Sequence, residues 1–382
     1  MKDIVRLNPI SSLVNDTLTS DTYNICDNSD NPVAYLVRSF DMHDYNVADS
    51  AVAIARAGAG VNNIPLPEMT AKGVCVFNTP GANANAVKEL VICALLLGGR
   101  KIYPAITWAQ GLEDGELKIE KQVEKGKKAF IGQEIFGKTL GIVGLGAIGR
   151  LVADAVIALG MKVIGYDPFL SDNARKALNP AVKVVTDINE IYAASDFITL
   201  HVPATDSTKG CINKESIAKM KDGVVIVNCA RGELFNNADV VEGVKSGKVS
   251  RVITDLPNKD MVRVENIVTF PHLGASTPEA EDNCAAMAAK ELKDFIENGN
   301  VVNSVNFPCV KADKVGERVT VLANSEDAVK VATDIVSKAA NIKATASGTR
   351  GDLTYIIFDL DKKIDDNTYA ALADKFVKVR VI

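Results

Sequence analysis

The stretch TLGIVGLGAIGR, residues 139–150, constrains this chain more tightly than any other. Leu140, Ile142 and Val143 read as a buried strand that runs into Gly144, Gly146 and Gly149, the spacing G-x-G-x-x-G. The apolar run from Leu151 to Leu159 then reads as a crossover helix, and Val163 to Tyr166 as the next parallel strand, ending at Asp167. Each glycine answers its own steric demand: Gly144 the tight turn, Gly146 the approach of backbone to a pyrophosphate, Gly149 the contact of helix with strand. The helix start offers unpaired N–H groups and the positive end of its dipole. An acid about 20 residues beyond the second glycine stands where an adenosine ribose is bound. Glycine-rich turns also arise for packing alone. With strand, helix and acid each in place, the pattern predicts a dinucleotide site, with NAD as the cofactor.

Length allows two or three domains, each with its own core. A hydrophobic content of 47% with 24% charged residues is that of a globular chain. The net charge of -5 and the absence of a Lys/Arg stripe exclude nucleic acid as the expected partner. No apolar run reaches the roughly 18–20 residues that span a bilayer, so no membrane partner is expected. The opening MKDIVRLNPI lacks the apolar core of a signal peptide. The seven cysteines form no C-x-x-C pair and several lie in apolar runs, which favours small buried hydrophobes over disulfides or metal ligands. The expected compartment is the cytoplasm.

Residues 1 to about 98 carry strand-length apolar runs at Ala34–Val37, Ala51–Ala55 and Val74–Phe77, the rhythm of a small α/β domain. The long apolar helix expected over Ala86–Leu97 joins it to the fingerprint. Beyond Asp167, Phe197–Leu200, Val224–Val227, Val252–Thr254 and Ile267–Phe270 read as buried strands, several preceded by helices such as Asn237–Ser246. Glu279–Glu297 makes a long amphipathic helix, and a linker follows over 306–314. The last stretch, 316–382, alternates as βαββαβ, a small ferredoxin-like domain.

Three histidines exist, and His272 is the notable one. It follows the strand IVTF and Pro271 and precedes LGAST, so it stands at a strand's carboxyl end, where open α/β sheets bind ligands. A histidine there can take an alcohol's hydroxyl proton, although a lone histidine is more often structural. Arg231 lies just past another buried strand, beside Gly232, able to offer paired N–H donors to a carboxylate or to be an ordinary surface arginine. Asp255 ends the strand VITD, facing a positive nicotinamide ring or capping its turn. Arg38-Ser39, the run from Arg56 to Gly60 and the run from Asn78 to Asn83 end the first domain's strands, and together they suggest an anion-binding rim.

With these residues in view, the chain resembles the D-isomer-specific 2-hydroxyacid dehydrogenases, and among them those acting on 3-phosphoglycerate. The likeness rests on RAGAGVNNI (56–64), NTPGANANAVKEL (78–90), KTLGIVGLGAIGR (138–150), SDFITLHVPATDSTKG (195–210), VNCARGEL (227–234) and PHLGAST (271–277). It implies a Rossmann-type NAD domain, residues 99–279, inserted into a flavodoxin-like substrate domain made of 1–98 and 280–307, with the two facing a cleft. The terminal domain, 316–382, is similar to an ACT regulatory module. The implied reaction is oxidation of 3-phosphoglycerate to 3-phosphohydroxypyruvate, at the start of serine biosynthesis, by a homodimer or larger homo-oligomer. Another D-2-hydroxy acid, such as glycerate or lactate, and a non-catalytic NAD sensor are the alternatives.

By the same resemblance Arg231 grips the substrate carboxylate and His272 is the acid/base. Ala147, Ile148, Asp167, Val202, Pro203, Cys229, Ala230, Asp255, Gly274 and Ala275 line the NAD site with the three glycines. Arg38, Ser39, Ala59, Gly60 and Asn83 contact the substrate. The family also places a glutamate before a proline to orient the histidine, and this chain has no Glu-Pro there. Asp260 stands at the family glutamate's distance from Arg231 and is the expected third catalytic residue, ahead of Glu265. Lys88, a charge inside an apolar helix, has no assigned task.

Overall fold

Short runs of small and β-branched residues form the strands of the first layer. The computed structural model describes the whole chain, Met1–Ile382. It forms two compact units, one of Met1–Asn83 with Pro278–Ile382, the other Ala84–Thr277. The first begins with β1 (Lys2–Arg6), α1 (Val14–Thr17), β2 (Tyr23–Cys26), β3 (Ala34–Val37), β4 (Ala53–Arg56), α2 (Leu66–Ala71) and β5 (Cys75–Phe77). The strands pair in parallel in the order β2-β1-β3-β4-β5, which is the flavodoxin-like order. β3 is buried at every residue, as a covered parallel strand must be.

The second unit starts with α3 (Ala84–Gly99), α4 (Ile102–Gln110) and α5 (Ile119–Gly126). A regular alternation follows: β6 (Thr139–Val143), α6 (Ala147–Ala158), β7 (Lys162–Tyr166), α7 (Asp172–Lys176), β8 (Val182–Val185), α8 (Ile188–Ala194) and β9 (Phe197–Leu200). It closes with α9 (Lys214–Ala218), β10 (Val224–Asn228), α10 (Asn237–Lys245), β11 (Val249–Thr254) and β12 (Ile267–Thr269). The seven strands lie parallel as β12-β11-β10-β9-β6-β7-β8. The chain enters at β6, runs out to β8, then returns to β9 beside β6. That reversal is the doubly wound switch point, and all the carboxyl ends share one edge. No single helix is long and apolar enough to cross a membrane.

The boundary expected near residue 98 lies instead before Ala84. Val87, Val91, Ala94 and Leu95 of α3 pack into the core of the second sheet with Leu140, Val152 and Val225. Gly98 makes the fit close, since a Cβ there would lie 2.5 Å from a Val225 methyl.

The chain re-enters the first unit through α11 (Pro278–Asn298). Its buried face, with Ala285, Ala288, Ala289 and Leu292, packs into the same core as Ala53, Ala55 and Phe77. β13 (Glu317–Ala323), α12 (Ala328–Val336), β14 (Ile342–Arg350), β15 (Leu353–Leu360), α13 (Asp366–Ala373) and β16 (Lys378–Val381) complete the chain. These four strands form an antiparallel sheet, β14-β15-β13-β16, the ferredoxin-like arrangement. The terminal segment has a core of its own between its sheet and α12 and α13, and the other face of that sheet joins the core of the first unit. Ile356 and Phe358 point to α12 and α13, whereas Tyr355 and Ile357, alternating with them along β15, pack with Phe77, Phe295 and Phe307. Full burial of an aliphatic such as Ile357 contributes about 1.5–3 kcal/mol. Polar ties back the apolar ones. Arg318 and Asp359, both fully buried, form a two-pronged pair at 2.6 and 2.8 Å, and Arg318 also donates to the carbonyls of Asn298 and Ala312. Arg380 lies 4.4 Å above the Phe295 ring and donates to the Phe295 carbonyl.

Candidate active site

The switch point between β6 and β9 is where the glycine fingerprint falls. Gly144 has a φ of +97°, and a Cβ on it would lie 2.6 Å from the His201 carbonyl oxygen. A Cβ on Gly149 would overlap the Gly144 carbonyl. Gly146 differs: a Cβ there would meet nothing within 4 Å. Two of the three glycines are thus demanded by the protein itself, while the space above the third is open. Gly146 caps α6 without a side-chain hydrogen bond, so the first-turn amides at Ala147 and Ile148 have no intrahelical acceptor. Asp167, at the end of β7, is held by the Leu145 amide at 3.0 Å and the Phe169 amide at 2.9 Å. Each carboxylate oxygen keeps a further lone pair for a ribose hydroxyl. The residues present fit a dinucleotide.

The next strand ends carry the charged groups. Asn228, the fully buried last residue of β10, donates to the Arg231 carbonyl at 2.9 Å and accepts from the Ala230 amide at 3.1 Å. Thr254, at the end of β11, donates to the Asn228 carbonyl at 2.7 Å. These bonds hold the Cys229-Ala230-Arg231 turn, and neither Asn228 nor Thr254 was singled out from sequence. The signal was available: a polar residue closing an otherwise apolar strand. Arg231 spends one bond on the Ala230 carbonyl. Val202 and Pro203 follow β9, with Thr208 donating to the Pro203 carbonyl at 2.6 Å.

The three histidines separate cleanly. His43 is exposed and paired with Asp41 at 2.6 Å. His201 places one ring nitrogen 3.1 Å from the Thr199 hydroxyl, and burial pushes its pKa down to about 4, so it stays neutral. His272 is exposed on the turn after β12, followed by buried Gly274 and half-buried Ala275. Asp255, at the end of neighbouring β11, is fully buried, and burial raises its pKa against the opposing charges of His272 and Arg231. His272, Asp255 and Arg231 therefore share one electrostatic neighbourhood.

Asp260 does not join them. Its side chain is exposed, in a turn built on the Asn258 side chain, which accepts from the Asp260 and Met261 amides. Met261, fully buried, is the anchor of that turn and leaves Asp260 facing solvent. Glu265 is exposed as well, between Arg263 and Asn266, both with positive φ.

In the first unit the rim residues form their own cluster. Arg56 donates to the Arg38 carbonyl at 3.1 Å, and the Arg38 guanidinium meets Glu281 at 2.6 Å. Asn78 ties the Ala59 carbonyl at 2.6 Å, and the Thr79 amide bonds the Gly58 carbonyl. Ser39 is exposed, Gly60 half-buried, and the Asn83 side-chain oxygen is buried without a hydrogen-bond partner. Lys88 bonds the side chain of Asn85 at 2.6 Å.

A glycine cradle at a switch point, with a fixed arginine and a histidine on later strand ends of the same edge, defines a dinucleotide-binding Rossmann protein. Residues 104–274 match the family model described as D-isomer specific 2-hydroxyacid dehydrogenase, NAD binding domain. The hydroxypyruvate reductase of Thermotoga maritima is 44% identical over 237 residues, 60% of this chain and 72% of that protein. The chain belongs to the D-isomer-specific 2-hydroxyacid dehydrogenase family. The D-3-phosphoglycerate dehydrogenase of Archaeoglobus fulgidus is 36% identical over 82% of this chain, which spans only 59% of that relative's length. Among solved structures, the NAD+-bound 3-phosphoglycerate dehydrogenase of Entamoeba histolytica aligns with a TM-score of 0.62 at 26% identity, over 80% of this chain and 98% of that one.

Proposed function

We propose that the chain oxidises 3-phosphoglycerate to 3-phosphohydroxypyruvate with NAD, at the start of serine biosynthesis. The observation that carries this reading is the grouping of Arg231, Asp255 and His272 on the edge that holds the glycine cradle. Bound NAD supplies the hydride acceptor. Gly146 and the first turn of α6 receive its pyrophosphate, and Asp167 receives the ribose hydroxyls. Arg231 presents paired donors to the substrate carboxylate, fixing which face of the hydroxyl-bearing carbon is offered. His272 takes the hydroxyl proton as the C–H electron pair departs, and returns it in the reverse direction. Arg38 and Arg56 supply cationic groups of the kind a phosphorylated acid requires.

The similarity to the Thermotoga maritima hydroxypyruvate reductase supports a second reading, turnover of the unphosphorylated glycerate/hydroxypyruvate pair. A non-catalytic NAD sensor has less support, since Arg231 and His272 are both retained. The protein would work in the cytoplasm, a setting that suits its seven free thiols. Exposed Tyr103, Ile131 and Phe136 support a homodimer or larger homo-oligomer. Mixing protein, NAD and 3-phosphoglycerate and following NADH absorbance tests the proposal, with glycerate run in parallel. Turnover of glycerate alone would favour the second reading, and NAD binding without turnover of either acid the sensor.

A further inference from the structure

We propose that Glu291 and Asn303 are positioning residues, which fix the rim turn around Gly58, Ala59 and Gly60 through a path of hydrogen bonds. The value of that path for the substrate rests on the dehydrogenase reading above; the path itself does not.

It starts at the free edge of the first sheet, beside β5. Residues 303–306 run antiparallel there, with Ser304 bridged to Phe77 and the Val305 amide donating to the Val76 carbonyl at 2.9 Å. The pairing stops at Asn303, whose φ of +58° takes the chain out of the extended form. Asparagine enters this left-handed region more readily than most residues, but its surroundings must hold it there. The side chain is what is held. Asn303 Nδ2 donates at 2.8 Å to Oε1 of Glu291, on α11. Glu291 is buried and its other oxygen has no hydrogen-bond partner. A buried carboxyl is costly to leave unbonded, so this contact is hard to give up.

With Asn303 fixed, its carbonyl accepts from the Asn78 amide at 3.4 Å. The Asn78 side chain donates to the Ala59 carbonyl at 2.6 Å, and the next amide, Thr79, donates to the Gly58 carbonyl at 3.1 Å. Two irregular turns are thereby tied to a residue inside α11. Glu291 and Asn303 act on the rim through Asn78 and meet no substrate atom in this scheme.

Glu291→Leu removes the acceptor, and Asn303→Gly removes the donor while tolerating the positive φ. Each should raise KM for 3-phosphoglycerate about threefold to tenfold, with kcat and NAD affinity unchanged. Glu291→Gln keeps the acceptor oxygen and should keep the parent's KM. An unchanged KM in the first two variants overturns the inference, as does a fall in kcat at constant KM, the mark of lost folded protein.

Amide hydrogen exchange in ligand-free protein tests the path without any substrate. Glu291→Leu and Asn303→Gly should speed exchange at Asn78 and Thr79 about tenfold and leave Val305 as it was. Equal acceleration at Val305 would mean general loosening and overturns the inference, and so does no change at Asn78 and Thr79. Should Glu291→Leu fail to fold, Asn303→Gly carries the test. A protein inert toward 3-phosphoglycerate yet showing the local acceleration would lose the proposed reaction and keep the path.

Discussion

The guanidinium of Arg38, at the end of β3, lies 2.6 Å from the carboxylate of Glu281 in the first turn of α11. Both side chains are more than a third exposed, so the pair contributes under about 1 kcal/mol to stability. Its larger effect is on charge, because Glu281 neutralises a residue proposed to meet the substrate. Glu281→Gln should lower KM for 3-phosphoglycerate about twofold to fivefold at low salt, and the gain should fade as ionic strength rises. An unchanged KM at low salt would remove Arg38 from substrate recognition.

His272→Asn should reduce kcat by about 10²- to 10⁴-fold while NAD binding persists. Stopped-flow NADH absorbance with a parallel NAD titration separates the two quantities. A loss under about threefold would take the histidine out of proton transfer.

For Arg231 the informative change is to lysine, which keeps the charge and loses the paired donors. Arg231→Lys should depress kcat/KM for the acid by at least about tenfold with NAD affinity unaltered. Steady-state kinetics at saturating NAD provide the check, and an unaltered kcat/KM would leave the carboxylate grip unsupported.

Asp167, held by the Leu145 and Phe169 amides, repels a 2′-phosphate as well as accepting from a 2′-hydroxyl. NAD should be strongly preferred over NADP, and Asp167→Ala should narrow that preference by about tenfold or more. Equal use of the two cofactors by the unmodified protein would contradict the assignment.

Glu291 of α11 is buried, accepts from Asn303 at 2.8 Å through one oxygen, and has its pKa raised by burial to about 8. The folded protein therefore favours the protonated acid. Its contribution to stability is full below the ordinary value of 4.5 and drains away as pH climbs toward about 8. Within that window the slope is at most about 1.4 kcal/mol per pH unit. Denaturant titrations at several pH values should show Glu291→Gln flattening this decline and gaining stability at the alkaline end. A variant as pH-sensitive as the parent would exclude Glu291 as the source.

What the sequence makes legible follows from how local each cause is. Gly144 and Gly149 are fixed by neighbours a few residues away or on the adjoining strand, and the fingerprint reads correctly from spacing alone. β3 matches its expected limits because it is a run of buried residues. β2 escapes notice because only Tyr23 of its four residues is buried. An apolar helix such as α3 announces that it is covered without naming the sheet that covers it, so its sequence alone does not assign it to the second unit. Asp260 was favoured by distance along the chain, yet the turn around Asn258 and Met261 directs it outward. The neighbourhood of Asp255 and His272 arises from β11 pairing with β12, a tertiary relation that no spacing encodes.

The sharing of Tyr355 and Ile357 with the core of the first unit, together with the Arg318 and Arg380 bonds to its carbonyls, changes what the terminal βαββαβ segment is. The segment keeps an interior of its own between its sheet and α12 and α13, yet its other face is committed to the first unit. It is a wall of the house, and removing it would lay bare Phe77, Phe295 and Phe307 and strand the carbonyls its arginines satisfy. Selection on the segment and on the unit it abuts is therefore one process, and a truncated form is expected to perish in folding before it can be tested for regulation.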